Sequence, residues 1–493
     1  MLYIYTVDSP LMSKDNQPLP KPSILLRRNF PHEATKGQED FFHQMDAFLE
    51  AGFNQKATFL LRGYAGTGKT SVISALVKSL PKLNYRSLML APTGRAAKVM
   101  MAYAGKGGYT IHKIIYKPKG DMGSVGLGFE LLKNYYKDTI FIVDEASMLA
   151  DDGGTGGNLL MDLIQFVFQQ NSNRLILIGD TAQLPPVGSK NSPALDKNYL
   201  THHYKLDVLE AELTEVMRQQ LNSGILYNAT RLRNEVIKEK PIISFLSKRF
   251  KDFYKMTGEK LEEGLRYAYD KFGVENTIII TRSNKTAVQY NQYIRRTLLF
   301  YEDEISAGDI LMIVRNNYTY MADSEKVNFL ANGDFAEVRK IRSFEEAFGL
   351  KFATVELKLI DYPEEPSFEA KIILDTLYSQ TSALDADQSR ELYKFVSEDY
   401  ADLDSKREKM EAIRKDPYLN ALQVKFAYAL TCHKSQGGQW EAVFVDQGYL
   451  SEEQLDKEYI RWLYTAMTRA TKELFMVNFN PKFYINEDKN ASN

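Results

Sequence analysis

The stretch Gly63-Tyr-Ala-Gly-Thr-Gly-Lys-Thr70 fits the spacing G-x-x-x-x-G-K-[ST]. Residues of these types at this spacing hold phosphate. Glycines let backbone N–H groups close around phosphate oxygens, and a helix N-terminus behind them adds positive potential. Gly66, Thr67 and Gly68 line the turn, Lys69 is placed to reach the β- and γ-phosphates, and the Thr70 hydroxyl is placed to bind Mg²⁺. The apolar run Ala57-Thr-Phe-Leu-Leu61 before the loop reads as a strand, and Ser71-Val-Ile-Ser-Ala-Leu-Val-Lys78 after it as a helix. Strand, glycine loop and helix together predict a nucleoside-triphosphate site.

Other residues suit the same chemistry. Asp138-Thr-Ile-Phe-Ile-Val-Asp-Glu-Ala-Ser147 is a buried-strand run ending in two carboxylates. Asp144 suits an outer-shell Mg²⁺ ligand, and Glu145 beside it can position and deprotonate water. Arg174-Leu-Ile-Leu-Ile-Gly-Asp-Thr-Ala-Gln-Leu-Pro-Pro-Val187 ends a third strand in polar groups, with Gln183 placed to sense a γ-phosphate. Gln38 lies on a helix for which Thr35 is the candidate N-cap. A glutamine amide can meet both edges of adenine, although alone this one reads as a solvated helix residue. Arg218 alone reads as a surface arginine and, in Leu213-Thr-Glu-Val-Met-Arg-Gln219, as a candidate arginine finger. Thr431, His433, Lys434 and Ser435 close another apolar run before two glycines. Hydroxyls, charge and N–H groups gathered this way can hold a phosphodiester backbone.

Composition bounds what these residues serve. At 493 residues the chain holds several domains. It is 44% hydrophobic and 26% charged, enough for a substantial core. A net charge of −2 counts against a protein that coats DNA but allows a narrow basic channel. The single Cys432 excludes an intrachain disulfide framework and fits a reducing cytosol, so a cytoplasmic location is expected. No segment resembles a membrane span, and residues 1–10 lack the marks of a signal peptide.

The elements that must position these groups alternate between apolar strands and helices, which predicts a parallel, doubly wound sheet with ligands at its C-terminal edge. Residues 1–28 read as a loosely held lead-in. The glycine-rich segment Tyr116 to Leu132 reads equally as a protruding hairpin or a plain surface loop. A second α/β segment begins near residue 220. Short strands at 308–317, 335–341 and 352–360, with a turn signal at Asn332-Gly-Asp334, suggest an inserted small β-barrel. The mixed-sign stretch 385–414 reads as a solvated helical pair. One phosphate loop sits in the first half and none in the second, yet the second half repeats the sheet texture and offers Arg469. That asymmetry suggests two RecA-like lobes, with the second completing the site and strand contacts on the same face.

The ordered series Thr35-x-x-Gln38, the phosphate loop, Ala-Pro-Thr-Gly-Arg-Ala-Ala97, Thr-Ile-His112, Asp-Glu-Ala-Ser147, Gly-Asp-Thr-Ala-Gln-Leu-Pro-Pro-Val187, Leu-Thr-Glu-Val-Met-Arg-Gln219, Thr-Cys-His-Lys-Ser-Gln-Gly437 and Tyr-Thr-Ala-Met-Thr-Arg-Ala470 resembles the motif set of superfamily 1B DNA helicases of the RecD/Dda/Pif branch. The resemblance spans residues 30 to 478. It implies two RecA-like lobes: 1A at 29–115 and 133–219, and 2A at 220–305 and 421–485. A strand-separating pin (1B) at 116–132 has Met122 or Phe129 as wedge candidates. An SH3-like β-barrel (2B) at 306–420 carries the 385–414 extension.

It implies ATP and Mg²⁺ as ligands. Gln38 would read adenine, and Gly66, Thr67, Gly68, Lys69 and Thr70 would hold phosphates and metal. Asp144 would support Mg²⁺, Glu145 would activate water, and Gln183 would report the γ-phosphate. Arg218 and Arg469 would be fingers, and Gly437 would line the nucleotide cleft. Pro92, Thr93, Arg95, His112, Thr431, His433 and Ser435 would line a single-strand track. Gln439 stands where RecD-like chains commonly carry an acidic residue. The implied activity is ATP-dependent 5′→3′ unwinding of DNA at single/double-strand junctions, by a monomer, in replication, repair or recombination. The competing readings are a single-strand-stimulated ATPase or translocase that remodels without unwinding, and a nucleotide-gated binding module.

Overall fold

A computed structural model describes residues 19–485 apart from 51–54, 106, 119–128, 152–157, 218–221, 322–323, 325–326, 328 and 382. Two compact units divide the described residues. The first lies within Met1–Pro92, Ala96–Ile115 and Leu131–Leu221, and the second within Thr93–Arg95, Tyr116–Glu130 and Asn222–Asn493. In chain order the first eight strands are β1 Ala57–Gly63, β2 Arg86–Ala91, β3 Gly108–Thr110, β4 Tyr116–Pro118, β5 Phe129–Leu131, β6 Thr139–Val143, β7 Arg174–Gly179 and β8 Asp207–Leu213. Six of them form one sheet in the order β3-β2-β6-β7-β1-β8, and every pairing is parallel. Buried on both faces, such strands are continuous apolar runs; all residues of β6 and β7 are buried.

Helices cover that sheet: α1 Pro22–Asn29, α2 Lys36–Glu50, α3 Lys69–Ser79 and α4 Gly94–Ala104 are the first four. Thr35 caps α2 as expected. Its N–H donates to the Gln38 side-chain oxygen at 2.9 Å while the Gln38 N–H donates to Thr35 Oγ1 at 3.4 Å, a reciprocal capping box. Edge-to-face rings weld α2 to the sheet, with Phe41 and Phe59 centroids 5.3 Å apart. The lead-in reading of 1–28 is corrected from Pro22 onward. Pro22 opens α1 at a position that needs no N–H, Leu25 and Leu26 are buried in the core, and Ser23 donates to Asp46 through both N–H and hydroxyl at 2.8 Å. Residues 1–18 lie outside the described part.

The second unit adds β9 Phe253–Met256, β10 Thr277–Thr281, β11 Ile310–Ile313, β12 Phe335–Ala347, β13 Leu350–Leu359, β14 Phe368–Ile373, β15 Leu422–Phe426, β16 Ala429–Thr431, β17 Trp440–Asp446 and β18 Ala470–Val477. Five form a parallel sheet, β16-β10-β17-β18-β9, and β11 to β15 close a barrel. With the first sheet, this is the two-lobed RecA-like architecture with an inserted barrel. β4 pairs with β5, so the root of the expected hairpin is formed; its tip, including Met122, falls outside the described residues. The apolar run from residue 422 divides. Leu422–Phe426 completes the barrel and only Ala429–Thr431 joins the second sheet. A buried barrel strand and a buried parallel strand are both continuous apolar runs, so the boundary carries no change of pattern. The charged stretch forms helices Ala386–Asp399 and Lys406–Lys415, capped by the Asp385 and Ser405 side chains. They bury Leu392, Val396 and Ile413.

A buried ionic node ties barrel to sheet inside this unit. The Arg295 guanidinium meets both Asp309 oxygens at 2.9 Å, and Asp309 also accepts from the Tyr428 hydroxyl at 2.9 Å and the Ser306 N–H at 2.7 Å. Arg295 is 3% exposed and Asp309 fully buried. Removing one partner strands a buried charge, so Asp309→Ala should destabilise the second unit by about 3–5 kcal/mol. Urea unfolding followed by tryptophan fluorescence checks this, and Trp440 and Trp462, the only two tryptophans, both lie in this unit.

Candidate nucleotide site and strand-binding residues

The glycine loop runs from β1 into α3 as its residue types require. Gly66 and Gly68 take φ of 75° and 83°, a region open to glycine. A Cβ on Gly68 would fall 2.6 Å from the Gln38 amide nitrogen, so the cradle has no space for a side chain there. Thr67 closes the turn, its hydroxyl donating to the Tyr64 carbonyl at 2.8 Å. The Lys69 ammonium donates to the carbonyls of Gly63 at 2.8 Å and Tyr64 at 3.0 Å, which holds it over the loop. Thr70, at the first turn of α3, is exposed.

Gln38 is fully buried against this loop and donates to the Thr67 carbonyl at 3.0 Å. Its oxygen serves the α2 cap, so the reading of Gln38 as a solvated helix residue is set aside. It braces the phosphate loop from behind. Met217 closes the other side, its N–H donating to the Gly66 carbonyl at 3.0 Å. Arg218, one residue on, lies outside the described residues.

Sheet order gathers the remaining groups. β6, β7 and β1 are neighbours and parallel, so the residues that follow them share one edge: Asp144 and Glu145 after β6, Gln183 after β7, and the glycine loop after β1. Both Asp144 oxygens are engaged. One accepts the Glu145 N–H at 2.8 Å and the other the Tyr103 hydroxyl at 2.6 Å. Burial, with Asp144 beside it, raises the Tyr103 phenol well above its usual pKa, so it stays a donor. Glu145 adopts φ of 50°, a left-handed conformation that costs a non-glycine residue roughly 1–2 kcal/mol and redirects its side chain from the strand line. Gln183 is nearly buried, and its amide oxygen has no hydrogen-bond partner among the described residues. A buried acceptor of that kind is suited to a ligand group.

The strand-track candidates of the first motifs follow β2 and β3, the other half of the same sheet. Pro92 and His112 are half-buried there. Burial pushes the His112 imidazole down to about 4, so it is neutral at pH 7 and can meet a strand as a hydrogen-bonding group rather than as a cation. Thr93 and Arg95 group with the second unit. Within it the Arg95 guanidinium lies 4.2 Å from the Trp440 ring centroid and 4.5 Å from that of Phe335. An arginine stacked in this way has its planar faces covered.

In the second unit Thr431 ends β16, level with Thr281 of β10. His433 is exposed and Lys434 half-buried; burial pulls the Lys434 ammonium down to about 8. Ser435 corrects expectation. Its side chain is fully buried and its hydroxyl donates to the Cys432 carbonyl at 2.8 Å, because the short turn Cys432–Ser435 needs an internal cap. Arg469 is 3% exposed and held by backbone: Nε donates to the Thr465 carbonyl at 3.1 Å and a terminal nitrogen to the Gly438 carbonyl at 3.3 Å. Arg469 and Gly437 are therefore brought together, where β17 and β18 begin. Thr431 stands at the opposite end of the sheet, so the two groups do not share a face.

Tyr103 and Met217 were missed at the sequence level; nothing in an α-helical Tyr or a Met before Arg218 marks them as partners of a carboxylate or a glycine turn. ATP with Mg²⁺ fits the first-unit site. The glycine cradle and Lys69 supply the donors that phosphates require and Asp144 the carboxylate, while the Gln183 oxygen can accept from a water beside them. Among the described residues no three His, Cys, Asp or Glu side chains converge as a metal cage. Mg²⁺ bound mainly by phosphates needs one carboxylate and one hydroxyl rather than a cage.

Comparison with known proteins places this geometry. The AAA domain family matches residues 42–245, and the UvrD-like helicase C-terminal domain family matches residues 426–477. The ATP-dependent DNA helicase dda of Enterobacteria phage T4 is 23% identical over 90% of this chain and 99% of its own length. The ATP-dependent RecD2 DNA helicase of Deinococcus radiodurans is 31% identical over 26% of this chain and 16% of its own length. The crystal structure of the Pif1 helicase from Bacteroides in complex with ADP-AlF3 and ssDNA aligns over 93% of this chain and 96% of its own, at 14% identity and a TM-score of 0.45. Both family matches fall in the order of the two α/β sheets and the phage relative runs across both, so the chain belongs to the RecD/Dda/Pif branch of the superfamily 1B helicases.

Proposed function

We propose that this ATP-hydrolysing DNA helicase moves 5′→3′ along single-stranded DNA and displaces the complementary strand at single/double-strand junctions. The observation that carries the reading is the shared edge of the first sheet. Nucleotide-binding groups follow β6, β7 and β1, and strand-track groups follow the adjoining β2 and β3, so one sheet presents both to their ligands. Motif spelling supports the polarity: Gln183-Leu-Pro-Pro186 resembles the 5′→3′ branch.

In this reading Lys69 and the loop N–H groups hold the phosphates, Asp144 and Thr70 hold Mg²⁺, and Glu145 orients and deprotonates the attacking water. When bound, Mg²⁺ supplies neutralisation of the phosphate oxygens. The Gln183 amide N–H₂ donates to the γ-phosphate and its oxygen accepts from the attacking water, and Arg469, with Arg218, stabilises charge developing on the transferred group. Thr431, His433 and Lys434 hold the strand backbone together with Pro92, Thr93 and His112. The two-stranded root β4–β5 carries the pin. The single Cys432 supports a cytoplasmic location, and we read the protein as a monomer acting in replication, repair or recombination.

A strand-displacement assay tests activity and polarity together. A duplex with a 5′ single-stranded tail should be unwound with ATP and Mg²⁺, and its 3′-tailed counterpart should not. ATP turnover without displaced strand would select a remodelling translocase instead. Arg469→Ala should leave single-strand binding near wild type while lowering stimulated turnover by ~10³ or more. Circular dichroism should confirm that the fold survives, and unchanged turnover would remove Arg469 from the site. The lowered pKa of Lys434, about 8, gives a pH signature. Its charge is present below that pH and lost above it, so affinity for single strands should fall between pH 7 and 9. Lys434→Arg, which keeps its charge throughout, should flatten that fall in fluorescence anisotropy.

A further inference from the structure

The Asp144 carboxylate is gripped from two sides, and one grip comes from outside every motif. Its first oxygen takes the N–H of the adjoining Glu145, a local bond that β6 and the turn after it provide. Its second takes the Tyr103 hydroxyl at 2.6 Å, within the range of a charge-assisted O–H···O⁻ bond. Tyr103 lies on α4, which follows β2, and β2 is the direct neighbour of β6. Its ring packs against the core of the first unit, so the hydroxyl is delivered from a fixed ring rather than a free side chain.

We infer that Tyr103 is a positioning residue for Asp144, orienting the carboxylate so that the nucleotide site takes up Mg²⁺ at low concentration. The inference rests on the reading of Asp144 as a metal-supporting group. A carboxylate that turns freely presents each oxygen only part of the time, while one fixed at both oxygens keeps its remaining lone pairs aimed in one direction. Partners that orient a metal-supporting group typically change metal affinity by 10–100-fold when removed. The competing role is mechanical: the bond simply fastens α4 to the sheet. A mechanical bond would lower stability on removal without changing how the site uses metal.

Binding of a fluorescent ADP analogue to the full chain, titrated with Mg²⁺ and repeated in EDTA, separates these roles. Tyr103→Phe keeps the ring and removes only the hydroxyl. The expected result is an Mg²⁺ midpoint raised about tenfold, with the affinity measured in EDTA unchanged. In an Asp144→Asn background the same substitution should add nothing to the midpoint, since the two residues act as one unit. An unchanged midpoint in Tyr103→Phe, while the wild type responds to Mg²⁺, overturns the inference and leaves the nucleotide reading intact. Additive effects of the two substitutions also overturn it. A wild type that binds the analogue without any response to Mg²⁺ overturns both.

Discussion

Parallel strands fix which ends of a sheet can meet a ligand, and the rest of the first unit depends on that constraint. Each strand returns through a helix, so every C-terminal end opens into a loop on the same edge and every N-terminal end on the other. With β6, β7 and β1 side by side, a carboxylate pair, a glutamine and a glycine loop that are far apart in sequence become neighbours without any special loop design. Left-handed residues also stand at the other edge, Asn84, Asp138 and Lys205 just before β2, β6 and β8, while Gly66, Gly68 and Glu145 shape the turns of the ligand edge. The core behind it is ordinary, apolar and ring-packed, and it supplies the rigidity that lets three short turns hold a fixed geometry.

The same constraint explains how the second sheet differs. Thr431 leaves β16 at its C-terminal end, whereas Gly437 and Arg469 precede β17 and β18 at the other. A single parallel sheet cannot bring both to one edge. Arg469 stays at its own edge: its guanidinium is fixed by the carbonyls of Thr465 and Gly438, which leaves it little rotamer freedom. Its backbone also belongs to the sheet, since its carbonyl accepts the Trp440 N–H at 3.0 Å. An arginine built into the start of two strands follows their movement directly.

What was legible in the sequence depended on how local the physics is. The glycine loop was readable because positive φ, a missing Cβ and a following helix all act within eight residues. Asp144 and Glu145 were readable because a buried run must end where charge begins. Gln38 was ambiguous for the opposite reason. Its cap on α2 is local, but its burial against Thr67 comes from folding across the sheet. Tyr103 was not legible at all, because its bond to Asp144 depends on β2 lying beside β6, which no local pattern encodes. Ser435 was misread because hydroxyls beside a basic cluster read as strand contacts, and only the closed turn Cys432–Ser435 reveals the carbonyl that claims this one.

The barrel follows a similar logic on a larger scale. β15 closes the barrel and β16 opens the edge of the second sheet, with only Ala427 and Tyr428 between them. Tyr428 reaches back to Asp309 and accepts the Ile310 N–H at 3.2 Å, while Asn291 donates to the Phe426 and Ala429 carbonyls at 3.1 and 3.0 Å. Arg295, on the helical segment after β10, completes the junction. A flexible linker would let the barrel turn independently of the sheet. A two-residue connection held by a buried ion pair and a fully bonded asparagine does not. The barrel therefore moves with the β16 edge that carries Thr431 and His433, and its surface acts as an extension of that edge rather than as a separate module.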